Sequence, residues 1–118
     1  MTQENEKCSL AEAKCEPCRG GVDPLKGEAL ARLLNRLGGN WAVVDQHHLE
    51  KTFKFKDFAE ALAFTNRVGE LAESVGHHPD IHLSWGRVKI QAWTHKIDGL
   101  AESDFVLAAK IEVLAAES

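Results

Sequence analysis

The sequence lacks several features that would place it in a particular class of protein. No apolar run approaches the roughly 18 residues needed to cross a bilayer, so a membrane-spanning helix is not expected. It has no basic excess, because 14 lysines and arginines are scattered among 18 acidic residues for a net charge of −4. Nucleic-acid binding through a basic face is therefore not expected. The polar start, MTQENEK, does not resemble a signal peptide, and we expect a cytoplasmic protein.

Cysteine is also scarce, with three residues in the chain. An odd number cannot close a fully paired disulfide framework in a monomer. Cys15 and Cys18, with Cys8 nearby, offer three ligands for zinc or a redox pair, but a closed zinc site needs a fourth ligand and no histidine is near. We favour reduced, unreactive thiols over a metal-binding module.

The length of 118 residues predicts one domain and leaves no room for a separate cofactor domain. Hydrophobic residues make up 44% and charged residues 27%, which is typical of a globular protein. Residues 1–21 carry charge and few large apolar side chains, and they end in a glycine pair. We interpret them as a flexible N-terminal arm, followed by a single domain over residues 22–118.

Apolar spacing predicts three helices. Leucines at i, i+3, i+4 and i+7 form one face of the first helix: Leu30, Leu33, Leu34 and Leu37. A longer helix is predicted from Asp57 to about Val75, with Gly76 as its C-terminal cap. In the last helix, from about Glu102 to Ala116, apolar residues are spread too widely for one stripe. We therefore expect part of this helix to contact another subunit in a homodimer or homotetramer.

Alternation of apolar and polar residues predicts two β-hairpins. The first has strands over 41–45 and 49–55, with the His47-His48 pair interpreted as an exposed turn. The second has strands over 81–85 and 88–92. The resulting order, α-β-β-α-β-β-α, predicts an α+β fold in which a four-stranded antiparallel sheet has helices packed on one face.

The turn of the second hairpin determines which of its side chains meet. A two-residue turn at 86–87 pairs Trp85 with Val88 and keeps every apolar residue on one face, so Trp85 is expected in the core. Continued to the open end of the hairpin, the same register places His78 opposite His95.

Three histidines from distant positions converge near that open end: His77, His78 and His95. A single histidine is most simply an exposed polar residue, but three together favour a functional site. Imidazole is a good zinc ligand, yet neither an H-x-H nor an H-E-x-x-H spacing is present. Since histidine has an ordinary pKa of about 6.5, the cluster is better suited to acid and base catalysis than to holding a metal.

The histidines belong to a longer pattern of separated residues with fixed intervals: Glu73, His77-His78-Pro79, Trp85, His95 and Asp104. This pattern resembles the signature of the pterin-4a-carbinolamine dehydratases. The resemblance extends from the first helix through the last, and the α+β fold of that family agrees with the fold predicted from the residues.

The resemblance implies dehydration of a 4a-hydroxytetrahydropterin to the quinonoid dihydropterin, a step in tetrahydropterin recycling, without a metal or organic cofactor. The reaction needs a proton delivered to the departing 4a hydroxyl and another removed from N5. By similarity, His77 and His95 are the acid and base candidates, in an order that the sequence leaves open, and His78 mainly holds the pterin.

Three further residues are candidates for contacts with the substrate. Glu73 lies one helical turn before His77, where it orients a histidine, bonds the amino and amide edge of the pterin, or is a solvated carboxylate. Asp104 lies in the first turn of the last helix, where a structural role is favoured over support of the pterin site. Trp93 shares a polar strand face with His95, where it forms an aromatic wall, is a partly exposed side chain, or makes a subunit contact.

A second class of function remains open on the same scaffold. Family members are known that assist a transcription factor or act as assembly factors, which makes a non-catalytic binding protein the alternative. The joint presence of His77, His78 and His95 favours the enzyme.

Overall fold

The chain folds as a four-stranded antiparallel sheet that carries helices on one face. A computed structural model of the protein describes residues 23–117. Its elements, in chain order, are α1 (Glu28–Leu37), β1 (Ala42–Val44), β2 (His48–Lys54), α2 (Phe58–Val75), β3 (Asp80–Ser84), β4 (Arg87–Ala92), a 3-10 turn at His95–Ile97, and α3 (Glu102–Glu117). The strand order across the sheet is β1-β2-β4-β3. The predicted α+β class and element order are confirmed.

The predicted N-terminal arm, with Cys8, Cys15 and Cys18, lies outside the described residues. The domain boundary at residue 22 therefore stays a prediction.

Local signals set the ends of α2, which leads into the histidine segment. The Asp57 side chain accepts a hydrogen bond from the Glu60 N–H at 2.9 Å and so satisfies one of the free donors of the first turn. At the other end Gly76 has a φ of 71°, a left-handed conformation that favours glycine, and its N–H donates to the Ala72 carbonyl. None of the helices within residues 23–117 is long and apolar enough to cross a membrane.

The core lies between the inner face of the sheet and the helices. The inner face contributes five buried side chains: Leu49, Phe53, Val88, Ile90 and Ala92. Helix α3 contacts α1, α2, β2 and β4, and its residues 103–109 are buried within this one chain. The apolar side chains in the first half of α3 are thus buried without a second subunit. In its second half, Val113 is 46% exposed.

The second hairpin turns at Trp85-Gly86, one position earlier than predicted, and Ser84 pairs with Arg87. Trp85 therefore lies in the turn with 68% of its surface exposed, and its expected place in the core is wrong. The observed and predicted registers differ by two residues along one strand. Because side chains alternate with a period of two, both registers bury the same apolar face, and the hydrophobic pattern does not distinguish them.

A single carboxylate connects α3 to the inner face of the sheet. Glu112 Oε2 accepts a hydrogen bond from Trp41 Nε1 at 2.8 Å and also receives the Lys51 ammonium. Lys51 projects from the inner face of β2, between the buried Leu49 and Phe53, and 17% of its side chain is exposed. An ammonium with so little access to water needs its counter-ion.

Glu112→Ala is expected to lower the free energy of unfolding by about 2–3 kcal/mol, because it leaves the Lys51 charge and the Trp41 N–H without an acceptor. Chemical denaturation measures this loss. The control is Glu117→Ala in the same helix, which removes an exposed carboxylate 3.4 Å from Arg67 and is expected to cost less than about 1 kcal/mol. Equal losses in the two variants would contradict a special role for Glu112.

Candidate active site

A cavity of about 300 Å³ opens where the segment after α2 meets the segment after β4. Seven residues line it: Gly76, His77, His78, Trp93, Thr94, His95 and Lys96. The three histidines singled out in the sequence thus come together, with Trp93 beside them.

The histidines meet without the strand pairing that was predicted for them. Regular pairing of β3 with β4 ends at Asp80 and Gln91, and His95 begins the 3-10 turn. The predicted juxtaposition of His78 with His95 across the ladder is therefore wrong. Pro79, directly before β3, has no N–H to donate to a ladder, which explains why the strand does not extend to the histidines.

His77 and His78 point in different directions although they are adjacent in sequence. The left-handed turn at Gly76 ends α2 and brings His77 back toward the protein, where 14% of its side chain is exposed. His78 is largely exposed, and its Nε2 lies 2.6 Å from Glu73 Oε2. Glu73 thus contacts a histidine, but this is His78 and not His77, and Glu73 is not among the residues that line the cavity.

Asp104 is fully buried below the cavity and accepts three hydrogen bonds. One carboxylate oxygen accepts from His77 Nε2 at 2.6 Å, and the other accepts from Thr94 Oγ1 at 2.8 Å and from the Ala101 N–H at 2.9 Å. The last of these bonds caps the start of α3. One side chain therefore holds the first turn of α3, the segment after β4 and the orientation of His77.

This arrangement assigns the protons of His77. An ionised carboxylate only accepts, so His77 donates its Nε2 proton to Asp104. In the neutral ring Nδ1 is then the nitrogen left to exchange a proton with a substrate. Thr94 was not among the residues predicted from the sequence, although it helps to hold Asp104. Its position directly before His95 was the only signal that the sequence offered. That Thr94 bonds Asp104 is seen only in the folded structure.

Trp93 is surrounded by imidazole rings. Its ring centroid lies 4.4 Å from that of His95, 5.1 Å from that of His47 and 5.8 Å from that of His48. His47 ends the turn between β1 and β2 and His48 begins β2, but both are half-buried beside the indole and are not the exposed pair that was expected. Trp93 therefore connects the β1–β2 turn to the cavity.

Glu50, which lies beside His48 on β2, carries a negative charge at neutral pH. A hydrogen bond from Gln91 Nε2 at 2.9 Å lowers the pKa of Glu50 below its ordinary value, partial burial opposes this shift, and Lys89 and His48 add to it. His48 Nε2 lies 3.5 Å from this carboxylate.

Within residues 23–117, no three histidine, cysteine or acidic side chains are grouped so that they could hold a metal ion.

Comparison with known proteins identifies the family of this chain. Residues 23–114 match the family model described as pterin 4 alpha carbinolamine dehydratase. The chain belongs to the pterin-4a-carbinolamine dehydratase family. A member from Rubrobacter xylanophilus is 63% identical over 105 residues, which cover 89% of this chain and 97% of that protein. One from Alkaliphilus metalliredigens is 57% identical over 104 residues, or 88% and 94% of the two chains. The names of both relatives assign them to these dehydratases.

Two solved structures share the fold of this dehydratase family. A transcriptional coactivator/pterin dehydratase from Brucella melitensis is 32% identical, with a TM-score of 0.72 over 79% of this chain and 99% of that one. A pterin dehydratase-like protein described as a RuBisCO assembly factor in the alpha-carboxysome is 26% identical, with a TM-score of 0.58 over 70% and 96% of the two chains.

Asp104→Ala is expected to lower the free energy of unfolding by about 3–5 kcal/mol, because it leaves three donors unpaired in a buried place. Denaturant titration measures the loss, and Asp104→Asn, which keeps an acceptor oxygen, is expected to lose less. Glu102→Ala, an exposed acidic residue in the same helical turn, is the control and is expected to cost less than about 1 kcal/mol. A loss for Asp104→Ala as small as that of the control would refute the role of Asp104.

Proposed function

We propose that this chain converts 4a-hydroxytetrahydropterin to quinonoid dihydropterin and water, with His77 and His95 exchanging the protons. Family membership supports the reaction. The observation that supports the residues is the cavity itself, where His77 is backed by a buried carboxylate and His95 has no hydrogen-bond partner for its ring nitrogens among residues 23–117.

The reaction breaks the C4a–O bond of the pterin and forms a double bond between C4a and N5. A protonated imidazole delivers a proton to the 4a hydroxyl, which leaves as water, and a neutral imidazole accepts the proton from N5. One histidine thus starts protonated and the other neutral, and exchange with solvent restores the pair after each turnover. Both states are accessible to histidine near neutral pH.

Asp104 supports the part played by His77. Because its carboxylate accepts the Nε2 proton, it holds the ring in one orientation with Nδ1 free to act. The same buried negative charge stabilises the imidazolium form that His77 passes through. Asp104 thereby acts through His77 and does not itself need to touch the pterin.

The other candidate residues are proposed to hold the flat pterin ring. Trp93 provides an aromatic wall on one side of the cavity, and His78 lines it from the segment after α2. Glu73 keeps His78 in place through their 2.6 Å contact. No metal or organic cofactor enters this scheme, and a cytoplasmic location stays a prediction from the sequence.

A second candidate function is a non-catalytic assembly or coactivator role on the same scaffold. The likeness to the solved structure described as a RuBisCO assembly factor supports it, at 26% identity. The enzyme is favoured because His77, His78 and His95 are all present and all line one cavity.

The chain is further proposed to form a homodimer or homotetramer through its last helix. The support is Val113, a large apolar side chain that is 46% exposed in the second half of α3. Since the first half of α3 is buried within the chain, the contact is assigned to the C-terminal turns.

His77→Ala and His95→Ala are each expected to lower kcat about 10²- to 10⁴-fold, the usual contribution of a general acid or base. The assay follows, by ultraviolet absorbance, the loss of a 4a-hydroxytetrahydropterin generated by an enzyme. His82→Ala is the control, since His82 is exposed on the outer sheet face and bonds Gln91, and it is expected to change kcat by less than about twofold. If the folded wild-type protein does not accelerate the dehydration, the non-catalytic binding role is favoured instead.

Val113→Glu is expected to shift the chain toward the monomer, because burying a charge in an apolar contact is costly. Light scattering coupled to size-exclusion chromatography measures the mass. Phe58→Glu, at an exposed apolar residue of α2, is the comparison. Dissociation by Phe58→Glu alone would place the contact on α2 and contradict the assignment to α3.

A further inference from the structure

The loop that carries His95 is closed at its base by backbone hydrogen bonds. The Thr94 N–H donates to the Gly99 carbonyl at 2.8 Å, and the Gly99 N–H donates back to Thr94 at 3.4 Å. Thr94 is anchored below by its bond to Asp104. The four residues between them are the 3-10 turn at His95–Ile97 and Asp98, which follows it.

A side-chain contact joins the outer part of this loop to a distant segment of the chain. Asp98 Oδ1 lies 2.8 Å from His47 Nε2, and this hydrogen bond joins the loop to the turn between β1 and β2, 51 residues away in sequence. Asp98 has a φ of 52°, in the left-handed region that aspartate enters more readily than most residues. We call this hydrogen-bonded pair the His47–Asp98 clamp.

The proton on His47 is set by its neighbours. Since the Asp98 carboxylate only accepts, His47 Nε2 is the donor in the clamp. His47 Nδ1 faces His48 Nδ1 at 3.0 Å, where one nitrogen must donate and the other accept. In a neutral His47 ring Nδ1 is the acceptor, so His48 donates to it. The pair of rings thus supports the tautomer that the clamp requires.

The clamp also reaches the aromatic wall of the cavity. The His47 ring packs at 5.1 Å from Trp93, and Trp93 packs edge-on against His95 at 4.4 Å. His95 itself is exposed, and its ring has no hydrogen-bond partner in the described part of the chain. Its position therefore depends on the loop backbone and on Trp93, both of which the clamp contacts.

We propose that His47 and Asp98 are positioning residues that hold His95 where it exchanges a proton with the pterin. This inference rests on the proposed dehydration. A shift of about 1 Å in a reacting group can cost as much as 10²-fold in rate. The effect falls on kcat because His95 acts in the proton transfer, while the pterin is held by Trp93 and His78.

The test is steady-state dehydration by the full chain, with wild type beside His47→Ala, Asp98→Ala and the double variant. Each single variant is expected to lose about five- to twentyfold in kcat, with KM changed by less than about twofold. The double variant is expected to lose no more than the more damaging single variant, since both substitutions remove the same bond. Asp98→Asn keeps an acceptor oxygen at the same place and tolerates the left-handed backbone, so it is expected to restore kcat to within about twofold of wild type.

Asp45→Ala is the matched control for Asp98→Ala. Asp45 is exposed in the turn next to His47 and has a φ of 54°, but its carboxylate has no partner among residues 23–117. The two substitutions therefore remove the same side chain from positions with a similar positive φ. An unchanged kcat for Asp45→Ala assigns the loss in Asp98→Ala to the missing bond and not to the strained backbone.

The outcomes separate the two proposals. Active wild type with an equally active Asp98→Ala, additive losses in the double variant, or a change in KM alone would overturn the clamp and leave the dehydratase intact. A folded wild type with no dehydratase activity would overturn the proposed function, and the role of the clamp with it. Unfolding midpoints of all variants verify that each is folded at the assay temperature.

Discussion

The buried carboxylate of Asp104 is the interaction on which the candidate site depends. Its two oxygens accept from His77, Thr94 and the Ala101 N–H, and these three donors come from three separate segments of the chain. Because a buried charge is tolerated only when it is fully hydrogen-bonded, the three segments are held together by the need to satisfy this one group. The start of α3, the histidine segment and the segment after β4 are therefore fixed at one point.

The site lies where regular structure stops. His77 follows the C-terminal cap of α2, and His95 begins a 3-10 turn just after β4. Segments of this kind have fewer backbone hydrogen bonds to hold them, so side chains take over that task. Asp104 bonds the segments that carry His77 and Thr94, and His47 bonds Asp98 at the end of the 3-10 turn. The candidate site is thereby built on irregular backbone that side-chain hydrogen bonds connect to the rest of the domain.

The histidine turn between β1 and β2 shows why a part of the site could not be predicted. His47 and His48 reach Trp93 because β2 pairs with β4, with Leu49 opposite Ala92. These two strands are separated in sequence by α2 and β3, and no local pattern specifies their pairing. The prediction that Trp85 is buried was wrong for a different reason. The observed and predicted registers of the second hairpin bury the same apolar face. The alternation of apolar residues therefore cannot show that Trp85 lies in the turn.

The sequence by itself determined the three helices, the two hairpins and the α+β class, because these follow from local periodicity, capping and short turns. It also indicated that His77, His78 and His95 converge, although the strand pairing that was expected to bring them together does not form. The intervals between the histidines and the acidic residues also indicated the family. Only the tertiary structure decided which acid meets which histidine: Asp104 bonds His77, and Glu73 bonds His78. Such partners depend on burial and on the pairing of distant segments. The spacing of residues along the chain specifies neither of these.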